Sequence, residues 1–421
     1  MTNSDNFRDM LGRTGLITVE KALSILRQNL EGLSRQEEQI PLHQALDRIL
    51  SRPVISPEDL PETDRSTMDG YAVRAADTFG ASHSMPCYLN ITGEVFMGEM
   101  PRGMVTKGCC FKIPTGGLLP SGADSVVMLE HTIPVDDTMI EIIKGVGAGT
   151  NLIKKGEDIK KDTTALDCGH LLRPQDLGLL AGLGIAKVNV YKKINVGIVA
   201  TGDEIIPFQE KPEPGQIRNI NSLTLAGMVK RLGGEVTDYG IVSDHRDIFF
   251  PALEKAVGEN DIVLFSGGSS VGVRDLGEQV VEALGPPGIL VHGVALKPGK
   301  PILIGMSGTT PVFGLPGHPV SALVCFDLFV GPAIRALQGR SKTLPRPGLS
   351  CILNRNINSA AGRRDLVRVK LKLENDTWTA YPILGKSGSI STLSRADGFF
   401  IIDEESQGVS MDDQVLVYLY Q

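Results

Sequence analysis

The sequence predicts a multidomain protein of mixed α+β and α/β class, with a doubly wound α/β domain and its parallel sheet at the centre. A chain of 421 residues, 42% of them hydrophobic, can bury more than one core. Residues 194–340 alternate apolar strand-like runs with amphipathic helical runs, which is typical of a parallel sheet covered by helices on both faces. Short β-type runs, separated by Gly, Pro and Asp, precede and follow this region.

We therefore expect four domains. Domain I is elongated and helical or mixed, and it is formed by residues 1–52 and 155–193. Domain II, residues 53–154, is an all-β domain inserted into domain I. Domain III, residues 194–340, is the α/β domain, and domain IV, residues 341–421, is a small β-barrel or sandwich.

Composition excludes several classes of function. The net charge of −7 argues against nucleic-acid binding, which usually requires a basic surface. No run of about eighteen apolar residues and no N-terminal signal pattern is visible, so we expect neither a membrane protein nor an exported one. The six cysteines are scattered without a C-x-x-C pair, which favours reduced thiols and a cytoplasmic location.

Three helices are predicted around the inserted domain. From Thr18 to Leu33, apolar residues recur at helical spacing, with Thr18 placed as the N-cap. Residues 41–50 repeat the pattern and precede two prolines. After the β-type runs, residues 171–183 return to helical spacing with Pro174 in the first turn.

Domain III has the most regular pattern. Strands are predicted at 194–200, 235–242, 261–268 and 310–317, and helices at 220–233, 247–258, 275–285 and 320–337. Ligands of open α/β sheets bind outside the carboxyl ends of the strands. The residues that follow each strand are therefore the first candidates for function.

Two strand ends are rich in glycine or proline. SGGSSVG (266–272) lies between a predicted strand and a helix, where successive backbone N–H groups can hold a phosphate. LPGHPVSA (315–322) has the same setting, with Pro319 suited to the first turn of a helix. A Gly-rich turn without a ligand and an ordinary helix cap are the alternatives, and a single His such as His318 more often forms a local hydrogen bond.

Acidic residues follow three of these strands. Asp203 and Glu204 stand together on one loop, and Asp244 and Asp275 follow two other strands. A parallel sheet gathers such residues along one edge, where carboxylates and ligand phosphates can hold Mg²⁺. An Asp at a helix start is more often only an N-cap, and Asp244 taken alone favours that interpretation.

Charged turns occur outside the strand ends too. Lys297 and Lys300 flank a Pro-Gly turn, where two ammonium groups suit an oxyanion, although surface lysines are usually only solvated. In the insert, polar turns surround Asp69, Thr115 and Asp158. Each of these turns is either a binding loop or an ordinary hairpin, and composition does not decide between them.

Eight segments occur in order along nearly the whole chain: MDGYAV, PTGG, GEDI, TGDE, SGGSSVGVRD, KPGKP, LPGHPVSA and SGSISTLSRADG. Together they resemble the molybdopterin molybdotransferases of the bacterial MoeA type, which are similar to the C-terminal domain of gephyrin. The resemblance implies that adenylylated molybdopterin and molybdate react in the presence of Mg²⁺ to give molybdenum cofactor and AMP. It further implies an elongated homodimer whose active site lies between domain III of one subunit and domain II of the other. The implied partners are the molybdopterin adenylyltransferase and the enzymes that accept the cofactor.

The resemblance also implies roles for individual residues. Catalysis would involve Glu204, Asp244, Asp275 and Asp69, and the metal would be held by Glu204, Asp244 and Asp275. Substrate would be bound by Thr115, Asp158, Thr201, Gly202, Ser266, Gly267, Gly268, Ser269, Pro316, Gly317 and His318. Molybdate would be bound by Lys297, Lys300, Arg368 and Ser387.

Two residues depart from the family pattern. The family more often has Asn at the position of His318 and a bulky aliphatic residue at Ser269. Both departures lie in ligand-facing loops, so they bear on pterin contacts and on the choice between molybdate and tungstate. Two other functions remain open at this point: a non-catalytic, gephyrin-like scaffold, and the adenylyltransferase of the same pathway.

Overall fold

The computed structural model describes residues 7–8, 14–267, 271–340 and 345–420, without the side chains of residues 7–8, 14–15 and 271–275. The first elements are the paired strands β1 (Phe7–Arg8) and β2 (Thr14–Leu16) and helix α1 (Val19–Leu30). The hydroxyl of Thr18 accepts a hydrogen bond from the backbone N–H of Lys21 at 3.2 Å. The predicted first helix and its N-cap are therefore present.

Helix α1 packs on the α/β region. Its buried face consists of Val19, Ala22, Leu26 and Leu30, and all four belong to the same hydrophobic core as the central sheet. Helical spacing shows that one face is buried, but it carries no information about which domain buries that face.

The helix predicted over residues 41–50 is wrong. Glu37–Pro41 forms strand β3, which is antiparallel to residues 187–191, and only Leu42–Gln44 form a short 3₁₀ turn. Asp47 then has a φ of +60°, which is outside the helical region. Pairing with a distant strand therefore overrides a local apolar period in this segment.

Strands form most of segment 53–154, which is predicted to be an all-β domain, and they continue to residue 166. They are β4 (Val54–Ile55), β5 (Arg65–Ser66), β6 (Gly70–Val73), β7 (Cys87–Glu94), β8 (Cys109–Ile113), β9 (Ser125–Met128), β10 (Thr132–Asp136), β11 (Met139–Ile142), β12 (Leu152–Ile153) and β13 (Thr164–Leu166). Six of them form one sheet in the order β10-β11-β7-β8-β6-β9. Strand β4 pairs with β13, so the two ends of the segment lie side by side.

Helix α2 (Pro174–Gly182) and strand β14 (Lys187–Tyr191) follow the insert. Pro174 occupies the first turn of α2, as predicted. The buried carboxylate of Asp176 accepts hydrogen bonds from the backbone N–H of Arg173 and from Nε2 of His170, both at 2.8 Å. Burial alone raises the pKa of Asp176, but the hydrogen bonds from Arg173 and His170 outweigh it and leave this pKa well below its usual range.

The predicted alternation of strands and helices in domain III is present. Its elements are β15 (Asn195–Thr201), β16 (Ile205–Ile206), β17 (Ile217–Arg218), α3 (Asn221–Arg231), β18 (Glu235–Val242), α4 (Arg246–Glu259), β19 (Ile262–Gly267), α5 (Val271–Ala283), β20 (Pro287–His292), β21 (Leu296–Lys297), β22 (Leu303–Ser307), β23 (Thr310–Pro316), α6 (Pro319–Cys325) and α7 (Gly331–Leu337). A π-helical turn, Phe326–Val330, joins the last two helices. Helix α5 begins at Val271, earlier than the predicted residue 275.

The central sheet has six strands in the order β18-β15-β19-β23-β22-β20. The first four are parallel, as predicted, whereas β22 and β20 are antiparallel additions. Successive residues of β15 enter different cores, with Ile198 in one cluster and Val199 in another. Both faces of the sheet are therefore buried, which explains the continuously apolar strands.

One helical segment within the described residues, Pro319–Leu337, is long and apolar enough to cross a membrane. Its apolar stretch is 67% buried inside the protein. Phe326 and Phe329 are among the largest fully buried side chains of the central core. This packing is typical of a core helix in a globular domain.

The C-terminal region is predicted to be a β-barrel or a β-sandwich, and it forms a barrel. Its elements are β24 (Gly348–Leu353), β25 (Ile357–Asn358), β26 (Arg364–Glu374), β27 (Thr377–Pro382), α8 (Ser391–Ser394), β28 (Gly398–Ile402), β29 (Gly408–Val409) and β30 (Gln414–Leu419). The order β26-β27-β24-β30-β28 closes because β28 pairs back to β26. Strand β21 of the α/β region pairs with the start of β26, so main-chain hydrogen bonds join the two domains.

All six cysteines are free thiols, in agreement with the scattered pattern of the sequence. Cys110, Cys325 and Cys351 are buried. Burial raises the pKa of Cys110 to about 12, so this thiol stays protonated at neutral pH.

Candidate active site

The carboxyl ends of the four parallel strands bring the predicted strand-end residues to one edge. In the order β18, β15, β19 and β23, the residues at or just after these ends are Asp244, Thr201–Glu204, Gly267 and Pro316–His318. The Thr201 hydroxyl donates a hydrogen bond to Asp244 Oδ1 at 2.5 Å, which links the first two strand ends directly. This edge is therefore the natural place for a ligand.

Asp203 supports the loop that carries Asp244. Its Oδ1 accepts hydrogen bonds from the hydroxyl of Ser243 at 2.7 Å and from the backbone N–H of Asp244 at 3.4 Å. The hydrogen bond from Ser243, with that from the Asp244 amide, lowers the pKa of Asp203. Asp203 therefore remains ionised at neutral pH and fixes the turn after β18.

Glu204 lies two residues after Gly202, a position where the backbone conformation requires glycine. Gly202 has a φ of +149°, a conformation that other residues rarely adopt. A Cβ at this position would lie 2.9 Å from Oε2 of Glu204, so the glutamate side chain folds back over Gly202. Asp275 lies in α5, but its side chain is outside the described part of the chain.

The described side chains include no group of three or more His, Cys, Asp or Glu residues arranged to hold a metal ion. Asp244 and Glu204 nevertheless place two carboxylates near one strand edge. Mg²⁺ commonly takes only one or two protein carboxylates and fills its other positions with water and substrate phosphates. These two carboxylates fit a Mg²⁺ ion that is bound together with a phosphorylated substrate, and the described side chains contain no closed all-protein metal site.

A cavity of about 790 Å³ lies between the carboxyl edge of the sheet and the C-terminal barrel. The predicted site residues that line it are Thr201, Gly267, Lys297, Lys300, Pro316, Gly317, His318, Arg368 and Ser387. Its size is that of a small-molecule pocket. The structure therefore brings these residues into one space, whereas the predicted residues Gly202, Glu204, Asp244 and Ser266 are described but do not line it.

The cavity has a strongly cationic lining. Among its described lining residues, five carry a permanent positive charge and one, Asp365, carries a carboxylate. The cationic residues are Lys297, Lys300, Arg363, Arg368 and Lys386. Such a surplus attracts an anionic ligand, because the cations concentrate negative charge within a confined space.

Arg368 is the most buried of these cations, with 7% of its surface exposed. Its Nη2 donates a hydrogen bond to the carbonyl of Gly385 at 3.4 Å, while Nε has no hydrogen-bond partner among the described residues. Burial lowers the pKa of Arg368, although the nearby Tyr420 acts in the opposite direction. A buried guanidinium that lacks a full set of acceptors is suited to bind an anion.

The LPGHPVSA loop is fixed from two sides. Asn221 Nδ2 donates to the carbonyl of Gly317 at 2.9 Å, and the backbone N–H of Val320 donates to the carbonyl of Ser387 at 3.1 Å. His318 is exposed and its side chain does not cap α6. Asn221 is not among the predicted residues, because an Asn at the start of a helix is indistinguishable in sequence from an ordinary capping residue.

Two predicted residues of the Gly-rich segment are within the described chain. Ser266 is buried, and a Cβ added to Gly267 would lie 2.3 Å from both O and Cγ2 of Thr201. Gly267 therefore allows the close approach of β19 to β15. Gly268 and Ser269 lie outside the described residues.

Three other predicted residues, Asp69, Thr115 and Asp158, lie outside the cavity. The backbone N–H of Thr115 donates to Asp69 Oδ1 at 2.6 Å, and this hydrogen bond lowers the pKa of Asp69. Asp158 lies on an exposed loop. All three residues are described, and none of them lines the cavity of the same chain.

Comparison with known proteins covers nearly the whole chain. The family descriptions that match are "MoeA N-terminal region (domain I and II)" at residues 17–184, "Probable molybdopterin binding domain" at 197–336 and "MoeA C-terminal region (domain IV)" at 351–420. A protein of Methanocaldococcus jannaschii is 38% identical over 412 residues, which are 96% of each chain. The chain belongs to the MoeA family.

Other MoeA relatives agree with this assignment. The molybdopterin molybdenumtransferase of Haemophilus influenzae is 33% identical over 404 residues, covering 96% of this chain and 98% of the relative. A crystal structure of the MoeA protein of Pyrococcus horikoshii is similar with a TM-score of 0.82 at 33% identity, and covers 96% of this chain and 100% of that one. The predicted family is therefore confirmed, and with it the predicted class of enzyme, a transferase of molybdenum cofactor biosynthesis.

Proposed function

We propose that this MoeA protein inserts molybdenum into molybdopterin, using adenylylated molybdopterin and molybdate as substrates and releasing AMP. The observation that carries the proposal is the cationic cavity at the carboxyl edge of the central sheet. Both substrates are anions, and among the described lining residues five cations outnumber one carboxylate. The cytoplasmic location and the transfer of product to cofactor-accepting enzymes are parts of the same proposal.

Arg368 and Ser387 form the oxyanion end of the cavity in this proposal. Arg368 lies on β26 of the barrel, and Ser387 follows β27 and is held to α6 by the hydrogen bond from Val320. A tetrahedral dianion needs several converging donors, which the guanidinium, a hydroxyl and the neighbouring lysines supply. The dithiolene sulfurs that receive molybdenum belong to the substrate, so no cysteine of this chain is required.

The strand-end side of the cavity suits the phosphates of the substrate. Thr201, Gly267 and Gly317 place strand-end groups of three neighbouring strands along it. Glu204 and Asp244, joined by Asp275, would hold Mg²⁺ together with the substrate phosphates. When bound, Mg²⁺ would neutralise charge on the phosphoanhydride. Asp244 keeps its position through the hydrogen bond from Thr201 and the backbone contact with Asp203.

Asp69, Thr115 and Asp158 would complete the site of a second subunit. Asp69 and Thr115 are hydrogen-bonded to each other, Asp158 lies on an exposed loop, and none of the three lines the cavity of its own chain, although all three are described. A homodimer in which these residues of one subunit face the cavity of the other would account for this placement. In such a symmetric dimer each site takes residues from both chains.

The proposal is tested by measuring AMP release and the formation of active cofactor. Purified protein, Mg²⁺, molybdate and adenylylated molybdopterin should yield AMP together with a product that activates a molybdenum-free acceptor enzyme. Omission of molybdate should abolish activation of the acceptor. Absence of both AMP and activation, with the Haemophilus influenzae relative active in the same assay, would contradict the proposed function.

A further inference from the structure

One buried carboxylate in the cavity wall joins two cations from different domains. Lys297 Nζ lies 3.0 Å from Asp365 Oδ2, and Arg363 Nε lies 2.9 Å from Asp365 Oδ1. The exposed fraction of the Asp365 side chain is 5%, compared with 53% for Lys297 and 37% for Arg363. Each oxygen of the carboxylate thus holds one cation, and the three side chains form a unit of net charge +1.

The main chain fixes this unit as well as the side chains. Lys297 ends β21 and pairs in parallel register with Asp365 of β26, and the backbone N–H of Arg364 donates to the carbonyl of Ala295 at 2.9 Å. Gly299, just after Lys297, has a φ of +125°, and a Cβ there would lie 2.8 Å from Sγ of Cys325. The lysine turn is therefore packed closely against α6, while β21 is paired with β26 of the barrel.

Both cations retain donors that Asp365 does not use. An ammonium group has three N–H donors and a guanidinium five, and Asp365 takes one from each. Within the described residues, no other hydrogen-bond partner is found for the head group of Lys297 or Arg363. Both residues line the cavity. The remaining donors are therefore free to converge on an oxygen-rich anion there.

We propose that Lys297, Asp365 and Arg363 form an anion clamp across the boundary between the α/β domain and the barrel. Arg363 is a binding residue that contacts a tetrahedral oxyanion, and Asp365 is the positioning residue that holds Arg363 and Lys297 in place. The proposal rests on the proposed function only for the identity of the anion. Molybdate and the phosphoryl group of the substrate share the tetrahedral chemistry, and the test below separates them.

Asp365→Asn distinguishes positioning from simple charge. If Asp365 acted only through its negative charge, its removal would make the cavity more cationic and would tighten anion binding. If Asp365 positions the two cations, the same change releases them and weakens binding, because preorganised donors lose their fixed geometry. The clamp predicts at least about tenfold weaker binding of one anion, with Asp365→Glu closer to wild type.

The measurement is calorimetric titration of the intact protein with two probes, molybdate alone and AMP alone. Arg363→Gln should lower the affinity for one probe at least about tenfold. The probe whose binding is weakened identifies whether the clamp holds the metal oxyanion or a phosphoryl group. Arg355→Gln, which removes an exposed arginine of the same barrel outside the cavity lining, is the matched control and should bind both probes like wild type. Thermal unfolding of each variant excludes loss of folded protein.

The clamp proposal is contradicted if Asp365→Asn binds both probes as tightly as wild type or more tightly. It is also overturned if Arg363→Gln binds both probes like the Arg355→Gln control, or if wild type binds neither probe. These outcomes are independent of the proposed function. Weakened binding in the clamp variants, without AMP release by wild type, would support the clamp and contradict the reaction.

Discussion

The hydroxyl of Thr201 and the carboxylate of Asp244 lie 2.5 Å apart at the carboxyl edge of the central sheet. They belong to neighbouring parallel strand ends, at the end of β15 and just after β18. This contact leaves one carboxylate oxygen of Asp244 for a ligand, and it couples the turn after β15 to the turn after β18.

Thr201→Val should therefore slow catalysis without unfolding the protein. Thr201 is buried, and valine has nearly the same shape but cannot donate to Asp244. We expect about a tenfold lower rate of AMP release, since the carboxylate loses its fixed orientation. The rate and the melting temperature are measured together. Thr201→Ser keeps the hydroxyl and is the control, and an unchanged rate in the valine variant would show that the contact has no catalytic role.

Gly267→Ala should destabilise the central domain. The added Cβ would lie 2.3 Å from the carbonyl oxygen of Thr201, which cannot move without shifting β15. A cost of about 1–3 kcal/mol is expected for such overpacking. The matched control is Gly227→Ala in α3, where the added Cβ meets nothing within 4 Å and should be neutral or stabilising. Denaturant unfolding of both variants measures the difference, and equal stabilities would contradict the close approach.

The stability contribution of Asp176 should depend on pH in the acid range. Hydrogen bonds from Arg173 and His170 outweigh burial, and the folded-state pKa of Asp176 lies below that of the unfolded chain. Its contribution is therefore complete above the unfolded pKa of about 3.9 and is lost as the pH falls below it. Asp176→Asn should melt at a lower temperature than wild type at pH 7, and the gap should narrow below about pH 4. If the difference in melting temperature between wild type and Asp176→Asn instead widens below about pH 4, the predicted direction of the pH dependence is contradicted.

Two impaired variants should restore activity when they are mixed, if the site is shared and the molybdate concentration is too low for Arg368→Met to work alone. Asp69→Asn alters the insert and Arg368→Met alters the cavity, so each homodimer has two defective sites. After subunit exchange at equal amounts, half of the dimers are mixed, and each of these has one intact site, which gives about a quarter of wild-type activity. AMP release before and after exchange measures this. No recovery, despite exchange shown by mass spectrometry, would place all required residues within one chain.

Much of the central domain could be predicted from sequence because its signals are local. The continuously apolar run of β15 and the helical spacing of α3 each depend only on neighbouring residues. The helix predicted over residues 41–50 failed because β3 pairs with a strand about 150 residues away, 187–191. The packing of α1 on the central core could not be predicted from the sequence, because the residues that α1 contacts are distant along the chain.

The residues of the candidate site also fall into those that the local sequence predicts and those that it does not. Residues in named segments, such as Thr201 and Lys297, were found because each segment has a recognisable composition. Asp365 and Asn221 were missed, because their importance arises from contacts with Lys297 and Gly317 that only the folded chain shows. An isolated Asp in a strand or an isolated Asn at a helix start has no distinctive local pattern.

Binding of the oxyanion by the cationic cavity is tested most directly by AMP release from Arg368→Met. The rate is measured over a series of molybdate concentrations, at saturating adenylylated molybdopterin. Removal of the buried guanidinium should raise the molybdate concentration needed for half-maximal rate by at least about tenfold, since a charge-assisted contact is lost. Arg355→Gln should match wild type in the same series. A molybdate dependence of Arg368→Met equal to that of wild type would contradict the claim that the cationic cavity binds the oxyanion.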